Sequence, residues 1–162
     1  MNESPDERES EREPVVDAVL TASRVLVAVA ARSLAEVAEE VTLTQYRSLV
    51  VLASRGPQSS AALAEELAVT PSTASRLCDR LVRKGLVRRR EDRRDRRAVR
   101  LALTPAGRTL VDAVTERRRA EIKHLLEGIP EDDQRSMVQA LRALAQAAGE
   151  VPEQEWSTGW DL

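Results

Sequence analysis

The sequence predicts a mainly α-helical chain carrying one small β-hairpin, and three observations point there. The only aromatic residues are Tyr46, Trp156 and Trp160, so the core must be built from Leu, Val and Ala, which favours helices. Apolar residues recur at helical spacing over most of the chain. One segment instead alternates with a period of two, setting Val99, Leu101 and Leu103 against Ala98, Arg100 and Ala102. At 162 residues, with 42% hydrophobic and 32% charged, the chain is long enough for one compact domain with its own core.

The elements follow in order. Residues 1–13 are acidic and polar and read as a disordered tail. Pro14 suits the first turn of a helix that runs to about Glu40. Apolar residues cover most of that helix's circumference to about Ala31, so it is predicted to be buried on several sides, either against a second copy or at the centre of the core. Thr44 is placed to cap a second helix carrying Tyr46, Leu49, Val50 and Leu52 inward, and Gly56-Pro57 stops it. Ser59 or Ser60 caps a short third helix, from Ala61 to about Ala68. Thr70-Pro71 is a cap followed by proline at the first helical position, opening a fourth helix that ends at Gly85. Two arms flanking a charged turn form the hairpin, about residues 86–103. Thr104-Pro105 repeats the cap-and-proline start for a fifth helix to about Glu127. A sixth, with a stripe of Met137, Val138, Leu141, Leu144, Ala145 and Ala148, ends at Gly149. Residues 150–162 form a C-terminal tail holding both tryptophans, which are read as part of a flexible tail rather than as docked on a partner subunit.

Several function classes fall away. There is no run of about 18 apolar residues without a charge, so no membrane span is expected. The N-terminus lacks the basic start and apolar stretch of a secretory signal, and one cysteine, Cys78, gives no disulfide framework. The expected location is therefore the cytoplasm. Cys78 sits on an inward stripe and reads as a small core hydrophobe. His124, the only histidine, makes no metal site alone and reads as a surface residue, so no metal or cofactor is expected. The six glycines are scattered at turns and make no phosphate-cradling loop, and the carboxylates lie on charged faces. An enzyme is not expected.

Charge distribution is more telling than the net value of −2. Residues 1–40 carry ten acids and four bases, residues 41–129 nineteen bases and ten acids, and residues 130–162 two bases and seven acids. Within 82–100 ten bases face three acids, and seven of those bases lie in Arg88–Arg97. Such a patch is the electrostatic footprint of a phosphate-backbone partner.

Residues 58–81 have the spacing of a helix-turn-helix: Leu63, Ala64, Leu67, Val69, Ala74, Leu77 and Leu81 fit the buried positions of two steeply crossing helices. Ala68 sits near the turn, where glycine is common. The outer face of the second helix carries Ser72, Thr73, Ser75, Arg76, Arg80 and Arg83, interrupted only by Asp79. Hydroxyls near a helix N-terminus can reach phosphates or base edges, Arg76 can make a bidentate contact to guanine, and Arg80 and Arg83 suit phosphate. With the hairpin, the fold class becomes a winged helix-turn-helix. A winged helix used only for protein–protein docking is the alternative, but it leaves that face without a purpose.

Residues 85–107 resemble the wing of the MarR family of regulators. The family pattern runs from a glycine ending the recognition helix to Asp-x-x-Asp-Arg-Arg and a strand ending Leu-Thr-x-x-Gly; here these are Gly85, Asp92, Asp95, Arg96, Arg97, Leu103, Thr104 and Gly107. The upstream segment Val69 to Leu77 is similar to that family's recognition unit, and the resemblance covers about residues 14–149. It implies that Thr70, Ser72, Thr73, Ser75 and Arg76 sit at the major groove, with Arg80 and Arg83 beside them. Arg94, Arg96 or Arg97 would reach the minor groove, and Asp95, with Asp92, would hold an arginine in place. The helices at about 14–40 and 105–149 would form a homodimer, so the operator should be pseudo-palindromic double-stranded DNA. Repression relieved by a small molecule, often an aromatic acid, is also implied. With no Phe and one Tyr, aromatic stacking on such an effector would rest on Tyr46 or on Trp156 and Trp160.

Overall fold

The computed structural model describes residues 5–38, 40–91 and 99–156, with side chains from residue 12 onward. The elements are α1 (Pro5–Val37), α2 (Leu43–Arg55), α3 (Ser60–Glu66), α4 (Pro71–Arg83), β1 (Val87–Glu91), β2 (Val99–Leu103), α5 (Pro105–Leu126) and α6 (Glu131–Ala147). A single 3₁₀ turn, Glu153–Glu155, follows.

Helix α1 begins at Pro5, with Pro14 inside it, so residues 5–13 are helical where the sequence predicts a disordered tail. Glu and Arg dominate that stretch, and both are good helix formers despite their charge. Among the described side chains of α1, the buried ones lie in its C-terminal part. There Val29, Ser33 and Leu34 are buried, and Arg32 pairs with Glu121 of α5 at 2.8 Å. Arg117 of α5 pairs with Glu36 at 2.6 Å, and Ser33 donates to Glu121 at 3.1 Å. Val15, Val16, Val19, Leu20, Val25, Leu26 and Val27 are exposed. By length and apolar content alone, residues 12–37 could cross a membrane, which the requirement for an uncharged run had excluded. Asp17 and Arg24 interrupt the stretch, and its last turns are tied to α5 by ion pairs, as in a helix packed on protein.

The central helix is α2, not α1. It touches α1, α3, α5 and β2, and buries Tyr46, Leu49, Val50, Val51, Leu52 and Ala53. Its cap is Thr42 rather than Thr44. The Thr42 hydroxyl accepts from the Gln45 backbone N–H at 3.3 Å, and the Gln45 side chain accepts from the Thr42 N–H at 3.2 Å. This Thr-x-x-Gln capping box satisfies two terminal donors at once, which a lone Thr44 could not do.

Helices α3 and α4 form the steep pair that the apolar spacing predicts, with Leu63, Ala64, Ala74, Leu77, Cys78 and Leu81 buried between them and α2. Ser59 caps α3 and Thr70 caps α4, which has Pro71 in its first turn. The turn between them closes with the Val69 N–H on the Ala64 carbonyl and the Ala68 N–H on the Glu65 carbonyl, both at 3.0 Å. That is the Schellman arrangement, and it requires a left-handed residue at Ala68, whose φ is +51°. Alanine there costs about 1–2 kcal/mol, which glycine would avoid while losing more chain entropy on folding. Ala68→Gly is therefore expected to raise stability by about 0.5–1 kcal/mol in urea unfolding at fixed protein concentration.

Strands β1 and β2 pair antiparallel, with Val87 opposite Leu103 and Glu91 opposite Val99. The backbone of Gln58 bridges to Leu101 on the other edge, anchoring the hairpin base to the segment before α3. The expected alternation holds only at that base. Leu101 is 3% exposed, but Val99 is 51% exposed because the strand has left the body of the protein. Ala102, expected outward, is buried.

Candidate nucleic-acid interface

The recognition face is built by α4. Ala74, Leu77, Cys78 and Leu81 point into the core, which leaves Ser72, Ser75, Arg76, Arg80 and Arg83 exposed and Thr73 half-buried. Thr70 belongs to the cap: its hydroxyl accepts from the Thr73 N–H at 3.3 Å and donates to the Thr73 hydroxyl at 2.9 Å. The Ser72 hydroxyl lies 3.1 Å from it, so three hydroxyls cluster at the helix N-terminus. Arg76 makes one long contact, 3.4 Å, to its own helix at the Ser72 carbonyl. Among the described residues no carboxylate pairs with Arg76, Arg80 or Arg83.

Asp79, the one acid on this face, forms an ion pair with Arg89 of β1. The pair neutralises an acid that would repel a phosphate backbone, and it ties the first wing strand to the recognition helix. Sequence reading missed Arg89 because the partners lie on different elements, within a run of arginines that look alike. It also missed a cleft of about 330 Å³ where Thr42, Thr44 and Gln45 of the α2 N-terminus face Thr73, Arg76 and Arg80. The wing-tip residues Asp92, Arg94, Asp95, Arg96 and Arg97 lie outside the described residues.

The Leu-Thr-x-x-Gly segment proves to be a structural lock. The Thr104 hydroxyl caps α5 by accepting from the Gly107 N–H at 3.0 Å, and it donates to the Gly85 carbonyl at 2.6 Å. The Thr104 N–H donates to the Leu86 carbonyl at 3.1 Å. Gly85, at φ +70°, ends α4, so the lock joins the end of the recognition helix, the root of the wing and the start of α5.

A larger cavity, about 680 Å³, opens between α2, α5 and the C-terminal segment. Tyr46, Arg118, Arg119, Ile122, Lys123 and Trp156 line it. Tyr46 is buried, which pushes its phenol above the usual range, and its hydroxyl lies 3.5 Å from that of Thr115. Among the described residues no hydrogen-bond acceptor meets the buried Nε of Arg118. Trp156 packs against the core, and its indole N–H donates to the Val151 carbonyl at 2.9 Å. The sequence reading of a tail is thus corrected for Trp156, which docks on its own chain; Trp160 lies outside the described residues. Two aromatic side chains named from composition, Tyr46 and Trp156, meet at this one cavity.

Cys78 is buried, and burial pushes its thiol up, away from reactivity. His124 is exposed, 3.1 Å from Glu127. Among the described residues no group of three His, Cys, Asp or Glu is placed to hold a metal ion.

Comparison with known proteins agrees with this geometry. A sequence model of the MarR family matches residues 41–99. The HTH-type transcriptional repressor MdtR of Bacillus subtilis is 30% identical over 119 residues, 74% of this chain and 77% of that one. The crystal structure of RV1404 from Mycobacterium tuberculosis superposes with a TM-score of 0.81 at 41% identity, covering 94% of this chain and 99% of that chain. A mutant of S. aureus MepR, bound to an oligodeoxyribonucleotide, has a TM-score of 0.60 at 24% identity and covers 83% of this chain and 97% of its own. With its recognition unit, wing base and terminal helices in that arrangement, the chain belongs to the MarR family: it is a winged helix-turn-helix, DNA-binding transcriptional regulator.

Proposed function

We propose that the protein is a repressor that binds a pseudo-palindromic operator as a homodimer. One observation carries the choice of surface: α4 presents hydroxyls and arginines that pair with no carboxylate among the described residues, while its only acid is neutralised by the wing. In this reading Ser72, Thr73, Ser75 and Arg76 meet base edges in the major groove, with Thr70 fixing the helix start. Arg80 and Arg83 bind phosphate. Arg94, Arg96 and Arg97 reach the adjacent minor groove, with Asp92 and Asp95 orienting them. Repression is supported by the name of the Bacillus subtilis relative, and a protein of the same fold, the MepR mutant, is bound to an oligodeoxyribonucleotide. The protein then works where the chromosome is, in the cytoplasm. The exposed apolar side chains of α1 and α6 supply the surface for a twofold dimer.

The cavity between α2 and α5 is the site for a releasing ligand. Its cationic wall, buried phenol and indole suit an anionic aromatic molecule, and the acceptor-less Arg118 Nε supplies a donor for it.

The test is fluorescence anisotropy with duplex DNA from upstream of the protein's own coding region, over a salt series. Arg80→Ala and Arg83→Ala are expected to weaken binding to every duplex. Each should reduce the slope of log affinity against log salt by about one. Arg76→Ala should instead narrow the gap between operator and unrelated duplex by about 1–3 kcal/mol. Wild-type binding by all three variants would remove α4 from the interface. No binding by the wild type would turn the reading to protein docking.

A further inference from the structure

We propose that the segment Glu150–Trp156 is a self-docked strap occupying the cationic wall of the α2–α5 cavity, and that an anionic ligand enters by displacing Glu153 from Arg119. This rests on reading that cavity as the effector site, and it adds a resident competitor supplied by the chain itself.

The strap is held on two elements. On α2, Arg47 donates two hydrogen bonds to the Glu150 carboxylate, at 2.8 and 2.6 Å, and Arg55 donates to the Gly149 carbonyl at 3.0 Å. On α5, Arg119 meets Glu153 at 2.6 Å. Beyond these anchors Trp156 lies against the core and forms part of the cavity lining. Its indole N–H is bonded within the strap, so the ring docks through apolar contact alone. The strap therefore presents to the cavity what an aromatic acid would present: a carboxylate on a guanidinium, and a flat ring nearby.

The docking is built to be reversible. Both Arg–Glu pairs are about half exposed, where ion pairs contribute little. Arg47 holds the Glu150 carboxyl below the usual carboxylate range, so that anchor stays charged at neutral pH. The docked strap also leaves the cavity incompletely satisfied, because the Arg118 Nε is buried without an acceptor among the described residues. A ligand carboxylate could accept from Arg118 and take Arg119 from Glu153, two gains where the strap has one. Because α2 packs on α3 and α5 carries α1, the strap bridges the reading unit and the terminal scaffold. Its release alters a contact between them.

The chain's only tryptophans are Trp156 and Trp160, so Trp160→Phe makes emission a direct reporter of the strap. In that full-length background, benzoate serves as the probe, with affinity measured by calorimetry. Saturating benzoate is expected to red-shift Trp156 emission and to raise its acrylamide quenching about twofold. Glu153→Gln, which removes the competing charge, is expected to tighten benzoate binding about threefold or more. Glu150→Gln with Glu153→Gln should red-shift emission without benzoate. Benzoate bound with Trp156 unmoved, or bound no tighter by Glu153→Gln, overturns the strap as competitor and leaves the effector site standing. Benzoate bound by neither protein overturns the effector site and the displacement together.

Discussion

Gly107→Ala is expected to cost about 3 kcal/mol or more of stability. A Cβ at this position would lie 2.1 Å from the Leu86 carbonyl oxygen and 3.1 Å from the Leu103 Cδ2. The first contact is with backbone, and that backbone cannot move freely. Leu86 O accepts from the Thr104 N–H, and the Leu86 N–H donates to the Leu81 carbonyl at 3.1 Å. Relief would have to come from shifting α5 away from the end of α4, breaking the Thr104 bonds to Gly85 and Leu86. The damage would reach function, since those bonds set the root of the wing against the recognition helix. Urea unfolding at fixed protein concentration measures the loss. Gly128→Ala is the control, because a Cβ there meets nothing within 4 Å and its backbone is not left-handed. It should change stability by no more than about 0.5 kcal/mol. If both variants behave like the wild type, the α4–α5 approach is looser than described.

That glycine shows where sequence reading succeeds and where it stops. Signals contained within one turn of chain were legible. Thr70-Pro71 and Thr104-Pro105 open helices as expected, and the apolar stripe from Ala74 to Leu81 faces the core. Where two local signals competed, the one with more hydrogen bonds won, and Thr42 with Gln45 displaced Thr44 as cap. Properties created by tertiary approach were not legible. Asp79 looked like a blemish on a basic face until β1 brought Arg89 to it. Trp156 looked like part of a tail because its contacts lie with residues far away in sequence. Gly107 was visible as part of a family pattern, but the carbonyl that requires it comes from Leu86, across the wing. The same limit applied to α1: its apolar surface was plain, and its centrality was not, because only packing reveals that α2 holds the centre.

Leu141→Asp is expected to convert a dimer to a monomer. Helix α6 has no buried residue in its own chain, although Val138, Leu141 and Leu144 line one face at 47%, 49% and 48% exposure. Among the described residues its side-chain hydrogen bonds to the rest of the chain lie at its ends, where Gln134 donates to the Leu126 and Ile129 carbonyls and Arg55 donates to the Gly149 carbonyl just beyond it. A helix of this length is marginal in water without an apolar partner. The exposed valines and leucines of α1 offer the same kind of surface, and a twofold axis would let the two helices of each copy cover those of the other. Leu141 sits mid-face, so an aspartate there would place a charge in that apolar contact, and the symmetry would place a second. Desolvating each carboxylate costs several kcal/mol. The dimer dissociation constant should therefore rise by about a thousandfold or more, and operator affinity should fall with it, because one recognition helix would have to act alone. Light scattering at micromolar concentration would report half the wild-type mass. Gln139→Asp, on the far side of the same helix, should leave the dimer intact. Leu141 is 49% exposed within its own chain, so the helix-turn-helix should keep its circular dichroism and cooperative unfolding. A variant that stayed dimeric would place the subunit contact away from α6 and leave α1 to form it.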